Sequence, residues 1–478
     1  VTVTDVLRCE TVVELLQSSR SRILDGDGGE RSCAEVLESG RQLAADLRAS
    51  GVRPGDRVAI QMPNSALYVD LLAAAAIGGF VIMSVNLRFA KSLASSIIER
   101  SGARTTIRSH DDLPPRVDGA PSEPSHVATP DDRYVIFTTS GTTSAPKLVV
   151  HNQRSVTAHA GDVAAVFGYD EDAVVLVPLP LCGVFGFTVF WGALAGHATV
   201  ILPPAFEAEA TAAIIERHGV TSLHGSDDMF HRLLATDADL SSITTSGYAR
   251  FNSALDGIVE RCEARGVPLS GLYGMSEVQA LFAWRGGRGL PLDERWRPAG
   301  PLVSPDAACR VVDDELQVQG PSLFEGYLAD GGDEIDRELT DRHFDGPWFR
   351  TGDIARNDGP NSFEYITRMG DVMRLGGFLV APTEVEAVVL EHPDVAQAQV
   401  VAVGLEQGAR PVAFVILNDG VDQVDEASVI EHCQSTLARF KCPVRVLAID
   451  AFPVTDGPNG VKIQRTELRA QALAALSS

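Results

Sequence analysis

Apolar positions in residues 34–50 recur at helical spacing, with Val36, Leu37, Leu43, Ala44 and Leu47 on one face. A turn built from Gly51, Pro54, Gly55 and Asp56 follows, and residues 57–61 read as a short strand. This alternation of helical and strand patterns predicts parallel sheets with crossover helices, and it continues through residues 133–300. From about residue 300 to 368, strands separated by Gly and Asp turns predict a barrel-like or sheet appendage. The remainder is compact, with helices expected at 382–392 and 426–440 and strands at 396–403 and 412–417. Residues 109–132, rich in Pro, Asp and Ser, read as a surface connector, and no internal repeat is visible.

One stretch demands a membrane test, because residues 173–206 contain no Asp, Glu, Lys or Arg. A spanning helix needs about 20 apolar residues in continuous helix. Pro178, Pro180, Pro203 and Pro204 confine any helix here to about 184–195, between two β-branched runs at 173–177 and 198–202. The pattern is strand, turn, buried helix, strand. Residues 71–85, split by Gly78 and Gly79, are also too short. The expectation is a cytoplasmic protein without a membrane span. The first ten residues lack the order of a secretory signal.

Composition narrows the chemistry. A net charge of −24 over 478 residues lacks the basic footprint of a nucleic-acid binder. The seven cysteines are scattered without CxxC spacing, which fits reduced thiols better than a disulfide scaffold or thiolate zinc site. Only four lysines occur: Lys91, Lys147, Lys441 and Lys462.

The strongest local signal runs from Thr138 to Lys147 (TTSGTTSAPK), directly after the apolar run 134–137. Hydroxyls and a glycine after a strand, closed by a lysine, suit a loop that folds over phosphates. It is not a Walker A loop, and alone it could be an ordinary Ser/Thr-rich turn. Further along, Gly271 to Glu277 (GLYGMSE) offers an aromatic, a tight turn, a hydroxyl and a carboxylate. Tyr273 could stack on a base or ribose, Ser276 bind phosphate and Glu277 hold Mg²⁺. Trp348 to Asp353 (WFRTGD) ends in a carboxylate able to accept ribose hydroxyls, or to serve as a buried strand residue. Tyr365 to Asp371 and the glycine loop carrying Lys462 complete the set.

In this order and spacing, from about Leu47 to the C-terminus, the motifs resemble the adenylate-forming superfamily of acyl-CoA synthetases, adenylation domains and luciferases. The resemblance implies an α/β, multi-domain fold: a large N-terminal domain of α/β sheets plus a β-barrel-like subdomain, and a small mobile C-terminal α+β domain. Its implied boundaries are 1–368, a hinge at 369–371 centred on Gly370, and a lid at 372–478, with the β-rich part at about 300–368. It implies ATP and Mg²⁺ as cofactors. Thr139, Ser140, Gly141, Thr142, Thr143 and Lys147 then correspond to the triphosphate loop. Ser246, Gly247 and Tyr248 correspond to the adenine segment, with Tyr273, Gly274 and Met275 beside it. Asp353 and Arg368 correspond to ribose contacts, Glu277 to the metal carboxylate, and Ser276 to its catalytic neighbour. Lys462 matches the lysine that bridges carboxylate and α-phosphate; Lys441, Gly376 and Gly377 match the acceptor channel. A cation about 4 Å from such charge contributes roughly 4 kcal/mol at an effective dielectric of ~20, so one lysine can decide the step.

The acyl pocket departs from the family pattern. Cys182 and Gly183 replace an aromatic and a histidine, with Phe187, Asp227, Asp228, Ala249 and Val278 as further candidate wall residues. Cys182 reads as a core thiol rather than a nucleophile. Asp227 and Asp228 read first as a helix N-cap and, more sharply, as partners for an amine or hydroxyl of a polar acid. The hinge glycine implies an easier but less biased rotation. Ser144 and Leu148 stand where glycines are usual, and no aspartate stands where α-amino-acid enzymes keep one. The leading expectation is adenylation of an aryl or medium-chain carboxylic acid with transfer to CoA. The alternatives are transfer to a carrier-protein phosphopantetheine, or nitrogen chemistry such as ATP-dependent diazotisation with nitrite.

Overall fold

The computed structural model describes residues 6–26, 28–117, 126–139, 146–250, 257–286, 289–375, 378–405, 408–457 and 460–477. Its short apolar strands assemble into two large mixed sheets. The first runs Ala283–Trp284, Leu269–Tyr273, Thr245–Ala249, Ser222–Ser226, Val174–Leu176, Thr199–Leu202, Arg22–Asp25, Glu30–Ser32. Its six inner strands pair parallel and its two edge strands antiparallel. The second runs Gly326–Tyr327, Leu148–Asn152, Arg133–Thr138, Val81–Ser84, Arg57–Ile60, Thr105–Ile107.

The charge-free stretch is the centre of the core. Helix Val184–Ala195 has all twelve residues buried, and strands Val174–Leu176 and Thr199–Leu202 flank it. Gly186 lets this helix press on the preceding turn: a Cβ there would lie 2.6 Å from the Leu179 carbonyl oxygen. Helices 184–195, Gln153–Phe167 and Ala66–Gly78 share one apolar cluster with strands of both sheets. Helices with apolar faces all round must be enclosed in this way. Among the described residues, no helix is long and apolar enough to cross a membrane.

A third, antiparallel sheet orders Ala299–Pro301, Ser362–Arg368, Trp348–Asn357, Glu315–Gln319 and Ala308–Val312. The smaller C-terminal domain pairs Val395–Leu405 with Gly408–Leu417 antiparallel, and the latter with Arg445–Ala448 in parallel. Its helices Pro382–Leu390 and Arg465–Ser477 are tied by a buried Arg465–Glu386 ion pair at 2.8 Å. The helix expected at 426–440 ends earlier, at Thr436. Leu437 turns to extended geometry, and a Lys441-to-Ala438 backbone turn follows that buries Cys442. The helical apolar pattern there therefore continues into a packed turn. The architecture is a mixed α/β fold with a large N-terminal and a smaller C-terminal domain.

Candidate active site

The site draws residues from all three sheets of the large domain: the carboxyl end of Leu269–Tyr273, the start of Leu148–Asn152 and the interior of Trp348–Asn357. Strand Leu269–Tyr273 delivers Tyr273 to this junction and is followed by a tight turn through Gly274. A Cβ on Gly274 would lie 2.4 Å from the Cα of Ala280, so the turn closes only with glycine. Gln279 and Ala280 hold positive φ (59° and 53°), a conformation costing about 1–3 kcal/mol each for such residues. Thr188 donates to the Gln279 carbonyl at 2.7 Å, and His151 contacts the Ser276 carbonyl at 2.8 Å. These contacts hold the strained turn that carries Ser276 and Glu277.

Glu277 is buried and accepts a hydrogen bond from the Tyr327 hydroxyl at 2.9 Å. Burial raises its pKa; Tyr327, Lys147 and Arg368 pull it back. Lys147 lies 4.5 Å above the Tyr327 ring centre, its ammonium 2.9 Å from His343 Nε2. Burial lowers the Lys147 pKa, with Glu277 counteracting and Arg368 adding to the effect. Lys147 also closes the base of its loop: its N–H donates to Thr139 Oγ1 at 3.2 Å, and its carbonyl accepts from Thr139 N–H at 3.0 Å. On the other side, Tyr273 donates to Asp353 at 2.6 Å, and Arg368 Nε stands 3.5 Å from the same carboxylate. Asp353 lies inside strand Trp348–Asn357, paired in register with Arg368. Two carboxylates and two cations, drawn from four chain segments, thus converge with tyrosines between them.

The remaining sequence-derived positions fall in several places. Asp227 and Tyr248 line one cavity of about 160 Å³ together with Arg250, Ile258, Glu260 and Trp296, and Tyr248 donates to the Trp296 carbonyl at 3.1 Å. Asp228 is exposed and does not line it. The helix N-cap is Ser226, not either aspartate: its hydroxyl accepts from Met229 N–H, leaving Asp227 and Asp228 in the first turn. Serine wins that position because its short side chain reaches the free backbone N–H, while the carboxylates still face the positive helix end. Ser246 donates to the Leu223 carbonyl, and Ala249 ends its strand.

Cys182 is buried and its thiol is pushed up to about 12 by burial, which suits a core thiol. Gly183 caps the buried helix. Phe187 packs against Phe137 with ring centres 5.1 Å apart, and Val278 lies in the apolar cluster of the third sheet. Met275 packs at the edge of that cluster. Lys441 pairs with Glu384 in the C-terminal domain. Gly370 has open space around its Cα, and its carbonyl accepts from Arg469 at 3.0 Å. Ser140, Gly141, Thr142, Thr143, Gly376 and Gly377 lie outside the described residues, and for Lys462 only the backbone, paired with Thr455, is described. Tyr327, His343 and His151 escaped the sequence reading. Tyr327 and His343 come from distant segments without a local motif, and His151, just past the Thr138–Lys147 motif on strand Leu148–Asn152, meets Ser276 only through the fold.

Comparison with known proteins decides the family. The model of the AMP-binding enzyme family matches residues 15–328, and that of the AMP-binding enzyme C-terminal domain matches residues 384–456. The chain belongs to the AMP-binding enzyme family. A long-chain-fatty-acid–CoA ligase of Mycobacterium tuberculosis is 29% identical over 93% of each chain. A feruloyl-CoA synthase of Amycolatopsis sp. is 29% identical, covering 91% of this chain and 93% of its own. Among solved structures, the O-succinylbenzoate CoA synthetase of Bacillus subtilis with ATP and magnesium ion superposes with TM-score 0.82 at 24% identity, covering 95% of this chain and 98% of its own. An anthranilate CoA ligase in complex with anthranoyl-AMP gives 0.81 at 21% over the full length of both. This AMP-binding enzyme is an AMP-forming ligase of acyl-CoA synthetase type.

Proposed function

We propose that this enzyme activates an aryl or medium-chain carboxylic acid as its adenylate, releasing pyrophosphate, and then passes the acyl group to the thiol of CoA. The observation that carries this reading is the convergence of Lys147, Glu277, Asp353 and Arg368 at one junction, held by Tyr273 and Tyr327. Such a set meets the needs of a nucleoside triphosphate: a cation for phosphates, a carboxylate for a divalent ion, and a carboxylate for ribose hydroxyls.

Glu277 fits a Mg²⁺ site because it is a buried carboxylate whose charge the protein leaves under-compensated. Mg²⁺ commonly takes one or two carboxylates plus phosphate oxygens, and bound there it would offset charge on the polyphosphate. Lys147 binds the phosphates of ATP, closing the loop that begins at Thr139. Asp353, oriented by Tyr273 and backed by Arg368, fixes the ribose. Ser276, on the strained turn, donates toward the phosphates. Lys462 on its C-terminal hairpin supplies the cation where the attacking carboxylate meets the α-phosphate, where two anions otherwise repel.

The C-terminal domain then turns about Met369–Asp371, and the face around Gly376, Gly377 and Lys441 receives the thiol. Mass spectrometry of reactions with ATP, Mg²⁺, CoA and a panel of acids tests the assignment. An acyl-CoA and AMP in equal amounts are expected. AMP release with nitrite and an aminoaryl acid, without thioester from any acid, would overturn it.

A further inference from the structure

Strands Ser222–Ser226, Thr245–Ala249 and Leu269–Tyr273 lie side by side in parallel, with His224 opposite Gly247 and Gly247 opposite Ser270. Residues in register share a face of a sheet. Leu272, two residues beyond Ser270, is on that face, and Trp284 pairs with it across the antiparallel edge. Gly247 is the gap in this row. A Cβ on it would meet His224 Nδ1 at 3.0 Å, Trp284 Nε1 at 3.4 Å and a Leu272 methyl at 2.9 Å. Two ring nitrogens therefore point at the one position that carries no side chain.

Both nitrogens are buried without a hydrogen-bond partner among the described residues, and so is the Ser270 hydroxyl. A buried polar atom left unpaired costs about 1–3 kcal/mol, so three on one face call for a common partner. The polarity of the set follows from the hydrogen bonds behind it. Ser222 donates to the Tyr169 hydroxyl at 3.3 Å, and Tyr169 lies 2.9 Å from His224 Nε2. Ser222 Oγ also stands 3.2 Å from Nε2, and with Nε2 accepting from this hydroxyl pair the imidazole proton is assigned to Nδ1. Burial pushes the His224 pKa down to about 3, so the ring is neutral at working pH. Nδ1–H of His224 and Nε1–H of Trp284 are then two donors aimed at one place. The Phe167 ring touches both, 4.5 Å from His224 and 4.6 Å from Trp284 between centres, and keeps the place apolar otherwise.

We infer that the acid carries, remote from its carboxylate, an oxygen acceptor such as a hydroxyl, ether, carbonyl or nitro group, which His224 Nδ1 and Trp284 Nε1 bind over Gly247, with Ser270 adjoining. The inference rests on the proposed acid-activating function and names its substrate class. Tyr248 and Tyr273, the next residues after Gly247 and Leu272 on the same strands, leave the sheet on its opposite face, so this face lies one sheet thickness from the nucleotide site. An acid lacking the oxygen leaves both donors unpaired in a dry site, and such sites reject the deficient analogue more strongly than apolar pockets reject a missing methyl.

The test is acid-dependent exchange of labelled pyrophosphate into ATP, with matched benzoic and cinnamic acids carrying hydroxyl, methoxy, nitro, amino or methyl groups. In wild type, an oxygen-bearing acid is expected to exceed its methyl counterpart in kcat/KM by at least about tenfold. Trp284→Phe keeps an aromatic and removes one donor; it is expected to erase most of that ratio, and a cooperative thermal melt shows that the variant folds. If Trp284→Phe unfolds, His224→Gln, which keeps one N–H, serves instead and is expected to reduce the ratio less. Equal rates for oxygen and methyl acids, a preference for amino acids of the series, or a ratio unchanged in the variants would overturn the inference with acid activation intact. Absence of exchange with every acid would instead refute the proposed function on which it rests.

Discussion

Tyr327→Phe separates the two jobs of one tyrosine. The ring under Lys147 remains, at 4.5 Å from the ammonium, while the hydrogen bond to Glu277 is lost. A hydrogen bond to a charged group contributes about 1.5–3 kcal/mol. Glu277 is buried and has its charge opposed by burial, so water does not readily replace the donor. If that energy holds the carboxylate in its reactive orientation, the first half-reaction falls roughly 10- to 160-fold. The loss should concentrate in the Mg²⁺ dependence, because the phosphate cation Lys147 keeps its contacts. Pyrophosphate exchange measured over a range of Mg²⁺ concentrations reads both quantities. An exchange rate within about twofold of wild type, with the same Mg²⁺ dependence, would refute the link between Tyr327, Glu277 and the metal.

Glu277→Gln is expected to lower exchange by about 10²–10³ and yet raise the melting temperature of the nucleotide-free protein near neutral pH. Burial raises the Glu277 pKa, so the support this residue gives the fold is full below the ordinary carboxylate pKa and is lost as pH rises through the folded value. Scanning calorimetry at acid and neutral pH checks the sign; a lower melting temperature at neutral pH contradicts it. Cys182, its thiol at about 12, should stay unlabelled by iodoacetamide in the native enzyme near pH ~8, as peptide mass spectrometry would show. Rapid labelling there would contradict the buried position. Gly186→Ala should destabilise by about 1–3 kcal/mol, since its methyl would meet backbone oxygen at 2.6 Å, and an unchanged denaturant midpoint would contradict the close packing.

The legible parts of the chain are those where local pattern and tertiary structure agree. Four prolines around one charge-free run mark a short buried helix, and the helix occurs at 184–195. A glycine after an apolar strand marks the tight turn at Gly274, and Thr139 and Lys147, the two ends of the hydroxyl-rich segment, hydrogen-bond to each other. What stays hidden is side-chain pairing across distance. Tyr327 reaches Glu277 across fifty positions, and Tyr273 reaches Asp353 across eighty. No spacing in a single sequence encodes such contacts. The same is true of the face shared by His224, Gly247 and Trp284, which depends on strand register. Helix ends are also poorly marked: the pattern near Leu437 continues apolar where the backbone turns.

Under the proposed function, AMP is joined to the carboxylate before any thiol arrives. A single-turnover reaction with ATP, Mg²⁺ and an aryl acid but no CoA, followed by mass spectrometry of the quenched mixture, tests it directly. Acyl-AMP and pyrophosphate are expected in equal amounts, dependent on the acid, with discharge to acyl-CoA when CoA is added and no adenylate from Lys462→Ala. ADP and phosphate as products, or AMP formed at the same rate without acid, would contradict it.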